Sequence, residues 1–184
     1  METYEAIITR RSVPKLTDEV PDRASVRLLL EAGVRAPTHH LTQPWRFLVL
    51  TGAALEEFGE AWATGAEREG KDPTSARAKS RRAPVIVVVI ETPKHHLPKV
   101  QEVEEHHAVG AAMQNMLLAA HDMGLGAMLR TGPAAHIPEV HEYLGLEEGE
   151  LVAGYVYLGY PEAGADRPLT RRTDAADITE WRGW

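Results

Sequence analysis

The residues best suited to chemistry in this sequence are arginines that cluster with small polar residues near both ends of the chain. Arg10, Arg11 and Ser12 follow one another at the end of a predicted helix. Two guanidinium groups and a hydroxyl can hold a phosphate through charge-assisted, partly bidentate hydrogen bonds. An exposed basic turn explains the same residues, so both interpretations stay open. The segment RPLTRRTD is interpreted in the same two ways, as a solvated turn or as a second phosphate-binding arm, with the basic residues Arg167, Arg171 and Arg172.

A second candidate is the polar segment RAPTHHLTQPWRF, residues 35–47, which places two adjacent histidines between two prolines. The prolines restrict the backbone and so reduce the entropy lost on binding. Arg35 can face a carbonyl group or an anionic ring, and His39 can donate to a polar edge. The alternatives are a rigid connector with solvated histidines, or a metal site. A metal is disfavoured because no cysteine, HExxH motif or carboxylate at ligand spacing accompanies the histidine pairs.

Glycines mark a third candidate, MGLGAMLRTG, residues 123–132. Glycine lets the backbone approach a flat ligand closely. The segment matches neither the GxGxxG dinucleotide fingerprint nor the phosphate loop, and a helix end followed by a strand explains it equally well. The sequence also has no GxSxG elbow and no paired-carboxylate motif. Anion-binding arginines without acid–base machinery are typical of proteins in which a cofactor carries out the chemistry.

Hydrophobic periodicity predicts the elements that position these residues. We expect a short helix ending near Ser12, a second helix within residues 21–37, and a strand over 46–52. Residues 53–82 are expected to form one helix followed by a mobile linker near EGKDPTS. A buried strand, a long helix, a short strand or turn, a short helix and a last strand follow, over residues 84–92, 103–123, 127–132, 133–146 and 151–161. This irregular interleaving favours one α+β domain over residues 1–184.

Composition limits the classes of partner. The chain carries a net charge of −7 at pH 7, which gives no overall attraction for nucleic acid or an anionic membrane. Its longest apolar run, APVIVVVI, is too short to cross a bilayer. The sequence has no cysteine, which excludes disulfides and cysteine nucleophiles and is compatible with a reducing compartment. We therefore expect a cytoplasmic protein without nucleic-acid or membrane partners.

The order of the motifs along the whole chain resembles the nitroreductase family of FMN-dependent oxidoreductases. The resemblance rests on the early RRS, on AGVRAPTHHLTQPWRFLVL, on AVGAAMQNMLLAAHDMGLGAMLRTG and on GYVYLGYP. VRAPTHH is most similar to the minimal-length branch of NAD(P)H nitroreductases. The resemblance implies an α+β fold with a mostly antiparallel central sheet flanked by helices. It also implies an intertwined homodimer with FMN at the subunit interface.

The resemblance also implies roles for individual residues. By this resemblance, Arg10, Arg11 and Ser12 would hold the phosphate and ribityl chain of FMN. Arg35 and His39 would reach the flavin from the partner subunit. Residues expected along the isoalloxazine ring, with backbone near its N5 edge, are Arg130, Thr131 and Gly132. The segment to which this branch assigns contacts with NADH or NADPH comprises Ala120, His121, Asp122, Met123, Gly124 and Leu125. The second phosphate-binding arm, Arg171 and Arg172, rests on the residue types alone and not on the resemblance.

Two residues depart from the family pattern. Pro14 stands where a basic residue usually faces the N1/O2 side of the flavin, and Lys15 comes one position late. We expect Arg35 to supply the missing positive charge, which stabilises the reduced, anionic flavin. His39 replaces the usual asparagine of the loop and can change its charge near neutral pH.

The function implied by the resemblance is hydride or electron transfer from NADH or NADPH, through flavin N5, to an electrophilic acceptor. A nitroaromatic, a quinone or an enone would serve as this small-molecule acceptor in a ping-pong reaction. No side chain is assigned as an essential acid or base. Two alternatives remain, a flavin-binding carrier or sensor with little turnover and a histidine-rich metalloprotein.

Overall fold

The computed structural model of the protein describes residues 1–165 and 168–184. In these ranges the α-helices are α1 (Thr3–Thr9), α2 (Arg23–Gly33), α3 (Ala53–Arg68), α4 (Pro73–Ser80), α5 (Glu102–Asp122) and α6 (Pro138–Leu144). The strands are β1 (Trp45–Thr51), β2 (Val85–Glu91), β3 (Gly126–Arg130) and β4 (Leu151–Gly159). None of the described helices is both long and apolar enough to cross a membrane. Arg167 lies outside the described residues.

The four strands form one sheet in the order β1-β2-β4-β3, and every neighbouring pair is antiparallel. Trp45 at the start of β1 pairs with Glu91 at the end of β2, and Arg130 at the end of β3 pairs with Tyr155 on β4. The central strand β2 is buried along its whole length, as its unbroken β-branched run predicts. The predicted α+β fold with an antiparallel sheet is therefore confirmed.

Helices cover both faces of the sheet, because alternate residues of each strand point to opposite sides. Val88 and Tyr155 belong to a cluster formed with α3, α4 and α6 around Phe58. Val87 belongs to the cluster on the other face, where α2 and α5 pack, with Met116 at its centre. The apolar side chains of α5 therefore face the sheet, and the outer side of α5 is left exposed.

A second helix lies where the sequence predicted a mobile linker, so that prediction is wrong. α4 begins at Pro73, and the Asp72 side chain caps it by accepting from the Thr74 and Ser75 amides at 2.9 and 3.2 Å. An aspartate followed by proline at the first helical position is a strong start signal, which the polar composition of this segment obscured.

Two boundaries differ from prediction in ways that affect the site. α1 ends at Thr9 rather than near Ser12, because Arg10 already has extended backbone angles of φ −56° and ψ 134°. Arg10, Arg11 and Ser12 therefore lie in an extended segment. The expected short helix over residues 133–146 is divided into a 3₁₀ turn at Pro133–His136 and α6, since Pro138 starts a new helix.

Candidate functional site

Three predicted phosphate-binding residues line one cavity. Arg10, Arg11 and Ser12 surround a volume of about 700 Å³ together with Arg172, which the C-terminal tail brings back to the start of the chain. Arg171 is exposed and is not among the residues lining the cavity. The other lining residues are Ile7, Ile8, Gln114, Pro168, Leu169 and Thr170. The structure thus brings together two basic segments from opposite ends of the sequence.

The segment after α1 is fixed against the sheet. The Val13 amide donates to the Ala127 carbonyl on β3 at 3.0 Å, and Leu16 forms a bridge with Pro161. Gly126 permits this close approach, since a Cβ there would lie 2.6 Å from Leu16 Cδ2 and 3.1 Å from Val13 Cγ1. The backbone of Ser12 is therefore held beside β3, whose last residue is Arg130.

Positive charge is concentrated at this cavity. Burial lowers the pKa of the Arg10 guanidinium, and the charge of Arg172 lowers that pKa further. Arg10 is therefore a partly buried cation that faces a second cation. An anion between them would remove the repulsion and compensate the burial, which is the electrostatic condition for a phosphate site.

His121 adjoins the same charges from the end of α5. Its Nε2 lies 2.9 Å from the Thr9 hydroxyl oxygen. Thr9 donates its hydroxyl proton to the Glu5 carbonyl at 2.7 Å, so His121 is the donor in the contact with Thr9. Burial lowers the pKa of His121, and the charges of Arg11 and Arg10 lower it further. The neutral imidazole is thus favoured in this position.

The segment assigned to the nicotinamide nucleotide is only partly accessible. The side chains of Ala120 and Leu125 are buried against the sheet, so a nucleotide in solvent cannot contact them. Asp122 pairs with the amino group of Met1 at 2.8 Å. The accessible surface of the segment is provided by His121, Asp122, Met123 and Gly124, for which the nucleotide role stays a prediction.

In the folded subunit, Arg35 and His39 do not line the cavity that contains Arg10. Arg35 is exposed and lines a different cavity, of about 370 Å³, together with Ala6 and Asn115. His39 Nε2 lies 3.6 Å from Glu104 Oε1 on α5. One subunit therefore does not bring these two residues to the arginines predicted to bind phosphate.

The α2–β1 loop, residues 34–44, is strained. His40, Leu41 and Gln43 have φ angles of 50°, 56° and 45°, a left-handed region that non-glycine residues seldom adopt. Such strain is concentrated at functional sites, where the surrounding structure maintains it. This feature could not be predicted from the residue types, because none of these three residues is a glycine.

The end of β3 offers backbone rather than a free side chain. The Arg130 guanidinium carbon lies 5.3 Å from the centre of the Tyr157 ring, and among the described residues its buried Nε has no hydrogen-bond partner. Gly132 has φ 130° and ψ −164°, a conformation essentially restricted to glycine. A Cβ added there would meet nothing within 4 Å, so the backbone at Gly132 borders open space.

In the part of the chain that the structure describes, no group of three or more histidine, cysteine, aspartate or glutamate side chains is arranged to hold a metal ion. One histidine of each of the three adjacent pairs contacts a different glutamate instead. His39 faces Glu104, His95 faces Glu105, and His106 binds Glu91. These contacts give the histidine-rich metalloprotein alternative no support.

Residues 7–160 match the model of the Nitroreductase family. The chain belongs to this family. It is 34% identical over 173 residues to the Escherichia coli (strain K12) protein "Putative NAD(P)H nitroreductase YdjA", covering 92% of this chain and 93% of that protein. The fold is similar to a nitroreductase-like family protein from Bacillus cereus, with a TM-score of 0.86, 25% identity, and coverage of 100% of this chain and 97% of that one.

A second solved structure is similar over nearly the whole chain. It is a "putative nitroreductase in complex with fmn" from Desulfovibrio desulfuricans, with a TM-score of 0.77 and 30% identity. The match covers 98% of this chain and 96% of that one. The family resemblance seen in the sequence motifs is thereby confirmed.

Proposed function

We propose that this nitroreductase-family protein is an FMN-dependent oxidoreductase that uses NADH or NADPH, and that residues 1–184 act as one FMN-binding domain. The observation that carries the proposal is the convergence of Arg10, Arg11, Ser12 and Arg172 on one cavity. The FMN bound to the Desulfovibrio desulfuricans relative and the name of the Escherichia coli relative support it. A cytoplasmic location is part of the proposal and agrees with the absence of cysteine.

The residues of the cavity fit FMN in charge and in size. Three arginines and a hydroxyl provide donors for a phosphate dianion, and the described lining residues include no aspartate or glutamate. Ile7, Ile8 and Leu169 add apolar surface beside those donors. The volume of about 700 Å³ falls within the usual range for small-molecule and cofactor sites.

The chain's own residues bind and orient. Arg10 and Arg172 would neutralise the phosphate of FMN, and the Ser12 hydroxyl would donate to it. Gly132 lets the backbone after β3 come close to a flat ring, since it carries no Cβ and borders open space. When bound, FMN would supply the redox chemistry, which is transfer of hydride or electrons from NADH or NADPH to a nitroaromatic, quinone or enone acceptor in a ping-pong order.

A homodimer is part of the proposal, because one subunit leaves the site incomplete. Ala6 lines the cavity of Arg35, whereas its neighbours Ile7 and Ile8 line the cavity of Arg10, so α1 separates the two. A second copy would have to bring Arg35 and His39 to the phosphate-binding arginines. Exposed apolar side chains that a partner would cover are Tyr4, Ile7 and Ile8 on α1 and Trp181 and Trp184 in the tail.

The test is a visible spectrum of the purified protein, followed by anaerobic titration with each nicotinamide nucleotide. The expected result is a yellow protein, or one that takes up added FMN, whose flavin absorbance is lost when NADH or NADPH is added. Sedimentation or light scattering should give a dimer. A protein that fails to bind added FMN would refute the proposal.

The second candidate, a flavin carrier or sensor with little turnover, is favoured by the departure at Pro14. Lys15 is exposed, and its backbone carbonyl accepts from the Glu162 amide at 3.2 Å. Lys15 is not among the described residues that line the Arg10 cavity. This candidate requires bound FMN that both nucleotides reduce very slowly. Arg35→Ala distinguishes the two candidates. If Arg35 compensates for the charge missing at Pro14, as the oxidoreductase requires, the substitution should lower the flavin potential more than it lowers the FMN affinity. An unchanged potential favours the carrier or sensor.

A further inference from the structure

Helix α5 contacts the surroundings of the α2–β1 loop at several points. At the beginning of the loop region, the Asn115 side-chain amide donates to the Ala32 carbonyl at the end of α2, at 3.1 Å. In the middle of the loop, His39 Nε2 lies 3.6 Å from Glu104 Oε1. Both contacts connect the segment that carries Arg35 to the same helix.

The end of the loop is connected to α5 through the last residue of β2. Glu91 pairs with Trp45, the first residue after the loop, and the Thr92 amide donates to the Pro44 carbonyl at 3.0 Å. His106 on α5 places its Nδ1 2.7 Å from Glu91 Oε1 and 2.9 Å from Oε2. The Glu91–His106 pair therefore attaches the strand that holds the end of the loop to α5.

The loop needs such attachments because its conformation is strained and its tip is not buried. His40, Leu41 and Gln43 are all left-handed, and Leu41 is 81% exposed. Within one subunit, burial of apolar surface at the tip therefore does not offset the strain. The polar contacts at the two sides of the loop have to maintain it.

The pair joins a buried carboxylate to an exposed imidazole. Glu91 is 2% exposed, whereas the His106 side chain is 45% exposed. The hydrogen bond to Glu91 is the largest cause and raises the pKa of His106. Burial, the next cause in size, lowers this pKa, and the charges of Glu91 and Glu102 raise it further. Glu102, one turn earlier on α5, also approaches His106, with its Oε1 3.5 Å from Nε2. The next two acidic residues of α5 have other neighbours. Glu105 accepts from the Lys94 amide at 2.7 Å and lies 3.6 Å from His95, and Glu104 faces His39.

We propose that Glu91 and His106 are positioning residues that hold the α2–β1 loop, and with it Arg35 and His39, in its strained conformation while His106 is protonated. Protonated His106 compensates the charge of the Glu91 carboxylate, which is buried. Because the pKa of His106 is raised, this stabilisation is fully present below the ordinary pKa of about 6.5 and is lost as the pH rises through the raised value. The effect on cofactor binding rests on the proposed function, whereas the position of the loop does not.

The test measures hydrogen–deuterium exchange of peptides covering residues 34–47 in the full-length protein without added FMN. Exchange is corrected for its intrinsic pH dependence. In the unsubstituted protein, protection should be constant up to about pH 6.5 and should decrease at higher pH. At about pH 6, His106→Gln should speed exchange roughly threefold to tenfold. This range corresponds to a stabilisation between that of an exposed ion pair and that of a charge-assisted hydrogen bond. The substitution should also abolish the pH dependence of exchange.

Two further variants make this test decisive. Glu91→Gln keeps the volume of the buried side chain but removes its charge, and it should also abolish the pH dependence. The matched control is His107→Gln, since His107 is the exposed neighbour of His106 on α5 and makes no side-chain hydrogen bond or ion pair within the described residues. A pH dependence that persists in His106→Gln, or that disappears in His107→Gln, would overturn the proposal. If Glu91→Gln does not fold, the His106→Gln comparison decides alone.

The effect on the cofactor is measured separately, with FMN as the probe. At about pH 6, the affinity of His106→Gln for FMN should be roughly threefold to tenfold below that of the unsubstituted protein, and the two should converge above the raised pKa. Equal FMN affinity in both proteins, together with different exchange, would overturn the link between loop and cofactor. Failure of every variant and of the unsubstituted protein to bind FMN would instead refute the proposed function and leave the exchange result standing.

Discussion

Replacing Arg10 should change stability and cofactor affinity in different directions. Arg10 is partly buried and faces Arg172, and both features lower the pKa of its guanidinium. In the cofactor-free protein the charge is therefore held at a cost. Arg10→Gln removes that charge and keeps a polar side chain, so the free energy of unfolding without FMN should stay the same or rise.

Binding of FMN should suffer from the same substitution. In the proposed complex the Arg10 guanidinium would donate to the charged phosphate of FMN, and a hydrogen bond to a charged group contributes about 1.5–3 kcal/mol. This range corresponds to a roughly 10- to 150-fold increase in the Kd of FMN. Riboflavin lacks the phosphate, so its Kd should be almost unaffected, and the affinity of the variant for FMN should depend less on salt.

The assay is fluorescence titration of the cofactor-free protein with FMN and with riboflavin, alongside urea unfolding without flavin. Arg27→Gln is the matched control, because Arg27 is an exposed arginine that pairs with Glu31 along α2. It should leave both flavin affinities unchanged. If Arg10→Gln weakened riboflavin as much as FMN, or destabilised the cofactor-free protein by a similar amount, the assignment of Arg10 to the phosphate would be refuted.

Three other predictions concern the elements around the site. Glu150→Gln should lower the free energy of unfolding by about 1.5–3 kcal/mol, because Glu150 accepts a bidentate bond from Arg46, with Nη2 at 2.6 Å. The hydrogen bond from Arg46 lowers the pKa of Glu150, so its stabilisation is present above about pH 4.3 and is lost at lower pH, which acid unfolding of both proteins would measure. Gly132→Ala should destabilise the protein by about 1–3 kcal/mol in thermal or urea unfolding, since its φ of 130° strains any side chain. Asp72→Ala should leave the fold intact but accelerate amide exchange in α4 roughly fivefold, because the helix loses its cap.

The sheet and its buried strand were predictable because their signals are local. A run such as PVIVVVIET is β-branched almost throughout and has no polar face, so only a strand covered on both sides suits it. α4 was missed because no apolar periodicity marks it. Its composition is polar, and only the cap at Asp72 and the proline at its first position mark a helix.

The site was predictable only in parts. Arg10, Arg11 and Ser12 form a compact motif, whereas Arg172 lies in a tail without periodicity, so its place in the same cavity depends on contacts far apart in the sequence. The left-handed conformation of the loop has no sequence signal either. His40 there is as compatible with an ordinary turn as with strain, and only the surrounding contacts decide.

Helix α5 relates the two parts of the site to each other. Its N-terminal half holds the α2–β1 loop through Glu104 and His106, and its C-terminal end holds α1 through His121. Glu104 and His121 are separated by 17 positions, which corresponds to about 25 Å along a helix. A single rigid helix thus fixes the loop relative to the phosphate-binding segment. In the proposed homodimer, a displacement of the loop on one subunit would alter the cofactor site completed with its partner, which is why residues that touch no ligand are expected to influence FMN binding.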